Sequence, residues 1–239
     1  MVSFFVFIVD FVYGNRSYPR FYVLETIARV PYFSYLSVLH LYETLGYWRK
    51  ADLLKLHFAE TWNELHHLLI MESLGGDRYW IDRFIAQHVA VAYYWVVVLI
   101  YMLFPSYAYY LMELIEGHAY YTYDEYLKTY EAQLKAQRAP QVAINFYRDG
   151  DLYMFDEVQT APDHEFRRPK VNNLYDVFVN IRDDECEHVK TMVALQKPEA
   201  RLTFTSPHTV LVFEGNAAIA EGEASLQDAT RTRITDKPD

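Results

Sequence analysis

The 239-residue sequence is poor in cysteine, in basic side chains and in long apolar runs. Its single cysteine, Cys186, excludes an intrachain disulfide and any metal site built from several thiolates. The 22 Lys and Arg residues are outnumbered by 32 Asp and Glu, and the resulting net charge of -10 argues against nucleic-acid binding, which requires a basic surface. With 52% hydrophobic residues, the chain can still bury a sizeable core, and one main domain is expected.

Two apolar segments predict contact with a membrane. The longest uninterrupted apolar run, Val89 to Phe104, is shorter than the roughly 20 residues that a spanning helix needs. Met1 to Gly14 is also apolar, but it lacks the basic residues of a secretory signal. Both segments are rich in aromatic residues, as is typical of a helix face at lipid headgroups, although a fully buried helix is the alternative for the longer run. We therefore expect residues 1–14 and 80–104 to form membrane-associating helices that insert into one leaflet without crossing it.

The motif Glu-x-x-His occurs twice, far apart in the chain, as Glu64 with His67 and as Glu185 with His188. Residues three positions apart on an α-helix share a face, so each pair can direct two metal ligands toward one point. A single copy would be weak evidence, because this spacing arises often by chance and most such pairs are exposed ion pairs or satisfied histidines. Two copies in one chain indicate a shared site.

An isolated glutamate within an apolar stretch precedes each motif, Glu25 before the first and Glu116 before the second. Two helices that each supply Glu-x-x-His, with two more that each supply one Glu, form the metal site of ferritin-like di-iron and di-manganese bundles. Burying several carboxylates without cations is prohibitively costly, and two divalent ions would balance four carboxylates. The neighbouring His66 and Glu187 are weaker candidates, because their positions turn them away from these faces.

These patterns predict an all-α fold: a ferritin-like di-iron four-helix bundle with additional N-terminal and membrane-associating helices. Residues 1–197 are expected to form this domain and residues 198–239 a variable, poorly ordered tail, because the composition there turns to Thr, Ala and Gly. Residues 140–173 contain turns and prolines and predict mixed structure. The predicted core helices are one that carries Glu25, bends at Pro31 and runs toward Gly46, and four others over about Ala51–Leu74, Asp77–Phe104, Ser106–Ala136 and Leu174–Gln196.

Four segments around the glutamates resemble a known family. They begin at Arg20, His57, Glu116 and Asn180 and read RFYVLET, HFAETWNELHHL, EGHAYYTY and NIRDDECEH. Over residues 18–196 the chain is similar to alternative oxidases, most of all to the plastid terminal oxidase branch of chloroplasts and cyanobacteria. The resemblance implies an interfacially bound quinol oxidase with two iron ions. Residues 139–156 and 168–178 resemble the longer connection of the plastoquinol branch, which favours plastoquinol as the reductant.

The resemblance also implies roles for individual residues. Tyr123 falls on the family's tyrosine close to the metals, although a packing tyrosine is the alternative. Asn63 and Asp184 match positions that orient the ligating histidines. The family's iron ligands match the residues that the spacing selects: Glu25, Glu64, His67, Glu116, Glu185 and His188. Its quinone pocket matches four more residues: Arg20, Leu24, Ala28 and Thr122. Of these, Arg20 could instead bind a lipid phosphate.

The leading functional interpretation is a plastoquinol:oxygen oxidoreductase that oxidises two quinols per O2, forms water and pumps no protons. The alternatives are a di-iron hydroxylase of quinone biosynthesis and a non-catalytic, metal-binding, membrane-associated bundle. The expected partners are plastoquinol and plastoquinone, O2 and the lipid of one leaflet. The expected location is the thylakoid or plasma membrane of a cyanobacterium-like cell, or a chloroplast thylakoid.

The helix that carries Glu25 has a second apolar face with no evident use in a four-helix core. This face, and the family resemblance, predict a homodimer. The chain departs from the family pattern at Tyr109, Tyr110 and His118, where relatives commonly carry other residues that affect proton supply and inhibitor fit. It has no cysteine near its N-terminus that could provide disulfide control. The residues of the proposed dimer face are Tyr32, Tyr35, Leu36, Leu39 and Tyr42.

Overall fold

A computed structural model describes residues 13–14, 16–150, 152–159 and 167–206. Across these ranges the ordered elements are α-helices and no residue lies in a β-strand, which confirms the predicted all-α class. The predicted helix before Gly14 and most of the predicted tail lie outside the described residues. The helices are α1 (Ser17–Ala28), α2 (Val30–Thr44), α3 (Ala51–Ser73), α4 (Trp80–Leu103), α5 (Pro105–Lys135), α6 (Gln141–Tyr147), α7 (Leu152–Val158), α8 (Leu174–Leu195) and α9 (Pro198–Thr203).

The chain divides into two compact units, residues 1–204 and 205–239, and only residues 205 and 206 of the second are described. In the first unit α5 packs along α8, while α3 packs against α1 and α2. With α1 and α2 counted as one interrupted helix, these elements form a four-helix bundle. The apolar core has two clusters, one around Phe21, Tyr123 and Phe178 and another around Tyr35 and Tyr109.

The helix predicted to bend at Pro31 is broken there into α1 and α2. Arg29 lies between them, and Pro31 occupies the first turn of α2, where its missing N–H leaves no helical hydrogen bond unmade. Downstream, α3 ends at Ser73, and Gly75 just beyond it has a φ of +80°, which favours glycine. A Cβ at the next residue, Gly76, would lie 2.7 Å from the carbonyl oxygen of Tyr18, so this glycine lets the end of α3 approach α1 closely.

Helix α8 has defined ends. The Asn173 side chain accepts a hydrogen bond from the Asp176 backbone N–H at 3.0 Å, which caps the first turn. At the other end, Arg201 of α9 donates to the backbone carbonyl of Leu195 at 2.6 Å. Residues 198–203, where the predicted tail begins, form α9, and a guanidinium that binds the carbonyls at the end of α8 holds this segment.

Helix α4 is the apolar helix predicted to associate with a membrane. It has 24 residues and is long and apolar enough to cross a membrane, by length and composition only. The uninterrupted apolar run from Val89 to Phe104 underestimated the length of this helix. The helix begins at Trp80 and includes Asp82, which is buried and paired with Arg16. Its inner face packs on α1, α2 and α5, whereas its outer face exposes Trp95, Leu99 and Leu103.

The face of α2 from which a dimer was predicted is covered by the same chain. Tyr32, Tyr35 and Leu39 are buried, and the Tyr35 hydroxyl donates to the Ala108 carbonyl at 3.1 Å. The Tyr42 hydroxyl likewise donates to a backbone carbonyl of α4, at 2.8 Å. The premise of a free face at these residues is wrong, since α4 and α5 pack on it.

Candidate metal centre

The structure brings the six predicted ligands together at the middle of the bundle. They form two overlapping groups in which the nitrogen and oxygen atoms able to bind a metal lie within 4.8 Å of one another. Glu64 of α3 and Glu185 of α8 belong to both groups. The first group is completed by Glu25 and His67 and the second by Glu116 and His188. Two carboxylates on different helices are thus placed to be shared between two ions.

The distances within the centre are those of ligand atoms that face one another. His67 Nδ1 lies 3.2 Å from Glu185 Oε1 and 3.7 Å from Glu25 Oε2. On the other side, His188 Nδ1 lies 3.0 Å from Glu64 Oε1 and 3.6 Å from Glu185 Oε2. All six side chains are buried, so solvent does not screen these groups.

The residues present fit two metal ions. Within the described part of the chain, several ligand atoms of both groups, including Nδ1 of His67 and of His188 and both carboxylate oxygens of Glu64, are buried and have no hydrogen-bond partner. Isolated buried polar atoms are costly, and here they converge on two points where a cation would satisfy them. Carboxylates with one imidazole per ion suit iron or manganese better than softer metals. Cys186, although it follows Glu185, belongs to neither group.

Burial and mutual repulsion govern the carboxyl groups of the centre. Burial, followed by the charges of Glu185 and Glu116, raises the pKa of Glu64 well above its ordinary value. The pKa of Glu116 is raised well above its ordinary value by burial and then by the charge of Glu185. This is the behaviour of carboxylates packed together around a position for positive charge.

His67 is held from behind by a hydrogen-bonded carboxylate. Its Nε2 lies 3.1 Å from Asp184 Oδ2, which also accepts from Asn63 Nδ2 at 3.0 Å and from the Tyr147 hydroxyl at 2.8 Å. Arg167 pairs with the other oxygen of Asp184. Although burial would raise the pKa of Asp184, the Arg167 guanidinium holds that pKa well below its ordinary range. The ionised Asp184 fixes His67 with Nδ1 toward the ligand groups.

Sequence reasoning missed two members of this support. Asn63 and Asp184 lie where the resemblance implied, but Tyr147 and Arg167 come from residues 140–173, which lack a helical apolar period and were interpreted only as mixed structure. The segment contributes two short helices and an arginine that packs its guanidinium 5.2 Å from the Phe155 ring centroid. No motif in the sequence marks either residue.

Each isolated glutamate accepts a hydrogen bond from a buried tyrosine. The Tyr123 hydroxyl donates to Glu25 Oε1, and the Tyr32 hydroxyl donates to Glu116 Oε1 at 2.6 Å. Tyr123 was predicted to lie close to the metals, whereas Tyr32 was assigned to the dimer face. The available signal was its position seven residues after Glu25, which repeats the same helix face despite the break between α1 and α2.

A cavity of about 310 Å³ reaches the first ligand group. Its walls are mainly apolar and include three of the four predicted quinone-pocket residues, Leu24, Ala28 and Thr122, but not Arg20. Its polar lining includes two of the metal-ligand candidates, Glu25 and Glu185. It also includes Thr122, His118 and Tyr123. The second ligand group meets this cavity only through the shared Glu185.

The comparison with known proteins agrees with this architecture. Residues 1–197 match the family described as Alternative oxidase. The chain belongs to the alternative oxidase family. No solved structure matches it. Within the family, it is 57% identical over 204 residues, 85% of this chain and 57% of the relative, to the chloroplastic/chromoplastic ubiquinol oxidase 4 of Arabidopsis thaliana, which supports the plastid terminal oxidase branch.

Mitochondrial members of the alternative oxidase family are less similar. Identity is 28% over 180 residues to ubiquinol oxidase 2 of Glycine max, covering 75% of this chain and 48% of the relative. It is 29% over 185 residues to the ubiquinol oxidase of Mangifera indica, covering 75% and 50%. The chain therefore spans about half the length of the curated relatives that it matches.

Proposed function

We propose that this chain is a quinol oxidase that uses plastoquinol to reduce O2 to water, and we assign the activity to residues 1–197. The observation that carries the proposal is the apolar cavity that ends on Glu25, Glu185 and Tyr123. A quinol is a flat, largely apolar ring with two hydroxyl groups, and it requires apolar walls with a few polar atoms at one end. The similarity to proteins named ubiquinol oxidases supports the same activity.

We further propose that the six ligand residues hold two iron ions. When bound, the iron pair would supply the electron-accepting and O2-reducing chemistry. The balance of the reaction is two quinols and one O2 giving two quinones and two waters, so the quinols provide all four electrons and all four protons. Elemental analysis of active protein tests this assignment, and one metal per chain, or zinc, would contradict it.

The chain's own residues would position the quinol and receive its protons. Thr122 and His118 offer hydrogen-bonding atoms within the cavity, so we assign the contact with a quinol oxygen to them rather than to Arg20. The Tyr123 hydroxyl, bonded to Glu25, orients that carboxylate and can take part in moving a quinol proton toward it. The apolar walls exclude water from the site.

We propose that the protein binds one membrane leaflet through α4. The helix packs on the bundle with its inner face, and crossing the bilayer would require it to leave those contacts. Val96 lines the cavity and is 47% exposed on the outer side, so a quinol could enter directly from the lipid. The chloroplastic relative supports a location in a chloroplast, where we propose the thylakoid membrane, whereas the comparisons lend no support to the plasma membrane of a cyanobacterium-like cell. A protein bound to one leaflet has no path for pumping protons across the membrane.

The homodimer stays a proposal, with its interface moved to the outer side of the bundle. Phe33 and Leu41 of α2 and Phe58 and Trp62 of α3 are exposed apolar side chains at helical spacing. An open groove lined by Phe33, Thr61 and Val91 lies where these two helices meet α4. The substitution Phe58→Asp should yield monomers in a sedimentation experiment. A wild-type protein that sediments as an active monomer would contradict the proposal.

A reaction with purified protein tests the function. Plastoquinol and O2 are supplied together, and oxygen consumption and quinol products are measured. One O2 consumed per two quinols, with quinone as the product, is the expected result. A hydroxylated ring would indicate the quinone-biosynthesis hydroxylase. No turnover by iron-loaded protein would indicate the non-catalytic metal-binding bundle.

A further inference from the structure

A buried polar cluster lies beside the metal centre and takes no part in the function proposed above. His57 Nδ1 lies 2.7 Å from Glu60 Oε2, and His57 Nε2 lies 2.9 Å from the Tyr109 hydroxyl. The Tyr109 hydroxyl lies in turn 2.8 Å from the Tyr101 hydroxyl. All four side chains are buried. Burying a histidine and a carboxylate is costly, and the hydrogen bonds within the network offset part of that cost.

The cluster occupies one oxygen of Glu60 and leaves the other without a partner. A carboxylate only accepts hydrogen bonds, so His57 Nδ1 is the donor to Oε2. The remaining Oε1 is buried and has no hydrogen-bond partner among the residues that the structure describes. Across the same described residues, Nε2 of His188 is also buried and without a partner. By contrast, Nε2 of His67 is bonded to Asp184.

Helix geometry and the ring of Tyr32 direct the Glu60 and His188 side chains toward the same part of the bundle. Glu60 lies one helical turn before Glu64, whose Oε1 is 3.0 Å from His188 Nδ1. The Tyr32 ring lies 5.3 Å from the His188 imidazole and 6.4 Å from that of His57, measured between centroids. The polar cluster therefore faces the second ligand group.

We propose that Glu60 is the positioning residue of His188, joined to it by one buried water between Glu60 Oε1 and His188 Nε2. A water satisfies both atoms at once and extends the reach of the carboxylate beyond a direct hydrogen bond. Glu60 then holds the proton of His188 on Nε2, so that Nδ1 presents its lone pair to the ligand group. This inference rests on the proposed metal centre.

The roles of the two outer carboxylates differ in how each is held. Asp184 is fixed by Arg167, Asn63 and Tyr147 and touches His67 directly. Among the described side chains, Glu60 is held by His57, which Tyr109 orients from its far side. His57 and Tyr109 thus act on His188 only through Glu60. Their substitution should affect the second ligand group by a smaller factor than substitution of Glu60 itself.

The test measures Fe²⁺ binding to each group separately. A His67→Ala background keeps all four ligands of the second group, and a His188→Ala background keeps all four ligands of the first group. Equilibrium dialysis of the purified full chain against Fe²⁺, without oxygen, gives the affinity in each background. Adding Glu60→Gln should weaken Fe²⁺ binding by about 10- to 100-fold in the His67→Ala background and by less than about 3-fold in the His188→Ala background. The exposed Glu131→Gln is the matched control and should change neither.

Equal weakening in both backgrounds, or none in either, would overturn the role of Glu60. Circular dichroism of each variant monitors the fold, and if Glu60→Gln loses it, His57→Gln replaces it with an expected loss of about 3- to 10-fold confined to the same background. Wild-type protein that binds fewer than two Fe²⁺ ions would refute the metal centre itself. Two ions bound in the wild type with no selective effect of Glu60→Gln would refute only this inference.

Discussion

Glu25 and Glu116 hold equivalent places in the two halves of the candidate metal centre, and each accepts a hydrogen bond from a tyrosine, but only Glu25 lines the cavity. The half with Glu25 and His67 therefore faces the proposed quinol site. The half with Glu116 and His188 is enclosed by tyrosines and by the His57 cluster. Nearly identical motifs would thus acquire different tasks from their surroundings: under the proposed function, one half would receive the quinol and the other would be closed to it.

Removing a shared carboxylate should erase the difference between the halves. Glu185 belongs to both ligand groups, so Glu185→Ala should lose both metal ions and reduce quinol oxidation by at least about 10³-fold. Glu131→Ala, at an exposed position on α5, is the control and should retain metal and activity. Metal analysis and oxygen consumption are measured on the same samples. A Glu185→Ala protein that keeps two ions would show that the carboxylate is not shared.

The two tyrosines provide the sharpest comparison between the halves. Tyr123→Phe removes the hydroxyl that orients Glu25 at the cavity, and we expect kcat to fall by about 100-fold with both metal ions retained. Tyr126→Phe, one turn further along α5, is the matched control, because its ring packs against Phe178 and does not reach the ligands. Normal turnover by Tyr123→Phe would remove the tyrosine from the proposed mechanism.

Filling the cavity should affect only the half that faces it. Ala28→Phe places a ring among the cavity walls, so we expect the KM for quinol to rise by about 10-fold or more while metal content stays unchanged. Ala92→Phe adds the same ring at an exposed position of α4 and should leave the KM unaltered. Steady-state kinetics distinguish the two. An unchanged KM in Ala28→Phe would place the quinol elsewhere.

The smallest effect is expected in the closed half. Tyr32→Phe removes one hydrogen bond to Glu116 and should lower the free energy of unfolding by about 1 kcal/mol. Because Tyr32 does not line the cavity, the KM for quinol should not change. Thermal unfolding and kinetics of this variant are compared with those of Tyr123→Phe. A loss of turnover as large as in Tyr123→Phe would contradict the assignment of different tasks to the two halves.

The ligand groups could be anticipated because helix geometry is local. Glu64 with His67 and Glu185 with His188 share faces whatever surrounds them, and Gly75 and Pro31 mark helix ends by backbone properties alone. The isolated glutamates required one more assumption, that charges in apolar stretches converge. The structure places all of them within the two groups.

What could not be anticipated depends on contacts between distant segments. The apolar face of α2 at Tyr35 is real, but periodicity identifies a face and not the element that covers it. Arg167 reaches Asp184 from a connection without helical period, and their pairing follows from how that connection folds back on α8. The proposed role of Glu60 likewise depends on another helix, because it requires the unpartnered Nε2 of His188 on α8.

Helix α4 is both a wall of the cavity and the apolar outer surface of the protein, and Val96 belongs to both. If its outer face lies in lipid, the enzyme samples its substrate in two dimensions. Its rate would then follow the mole fraction of quinol in the bilayer and not the concentration in the bulk suspension. Adding empty vesicles that exchange lipid with the loaded ones should slow turnover at constant total quinol. The size of the quinone pool relative to the membrane area would thus set how fast electrons leave it.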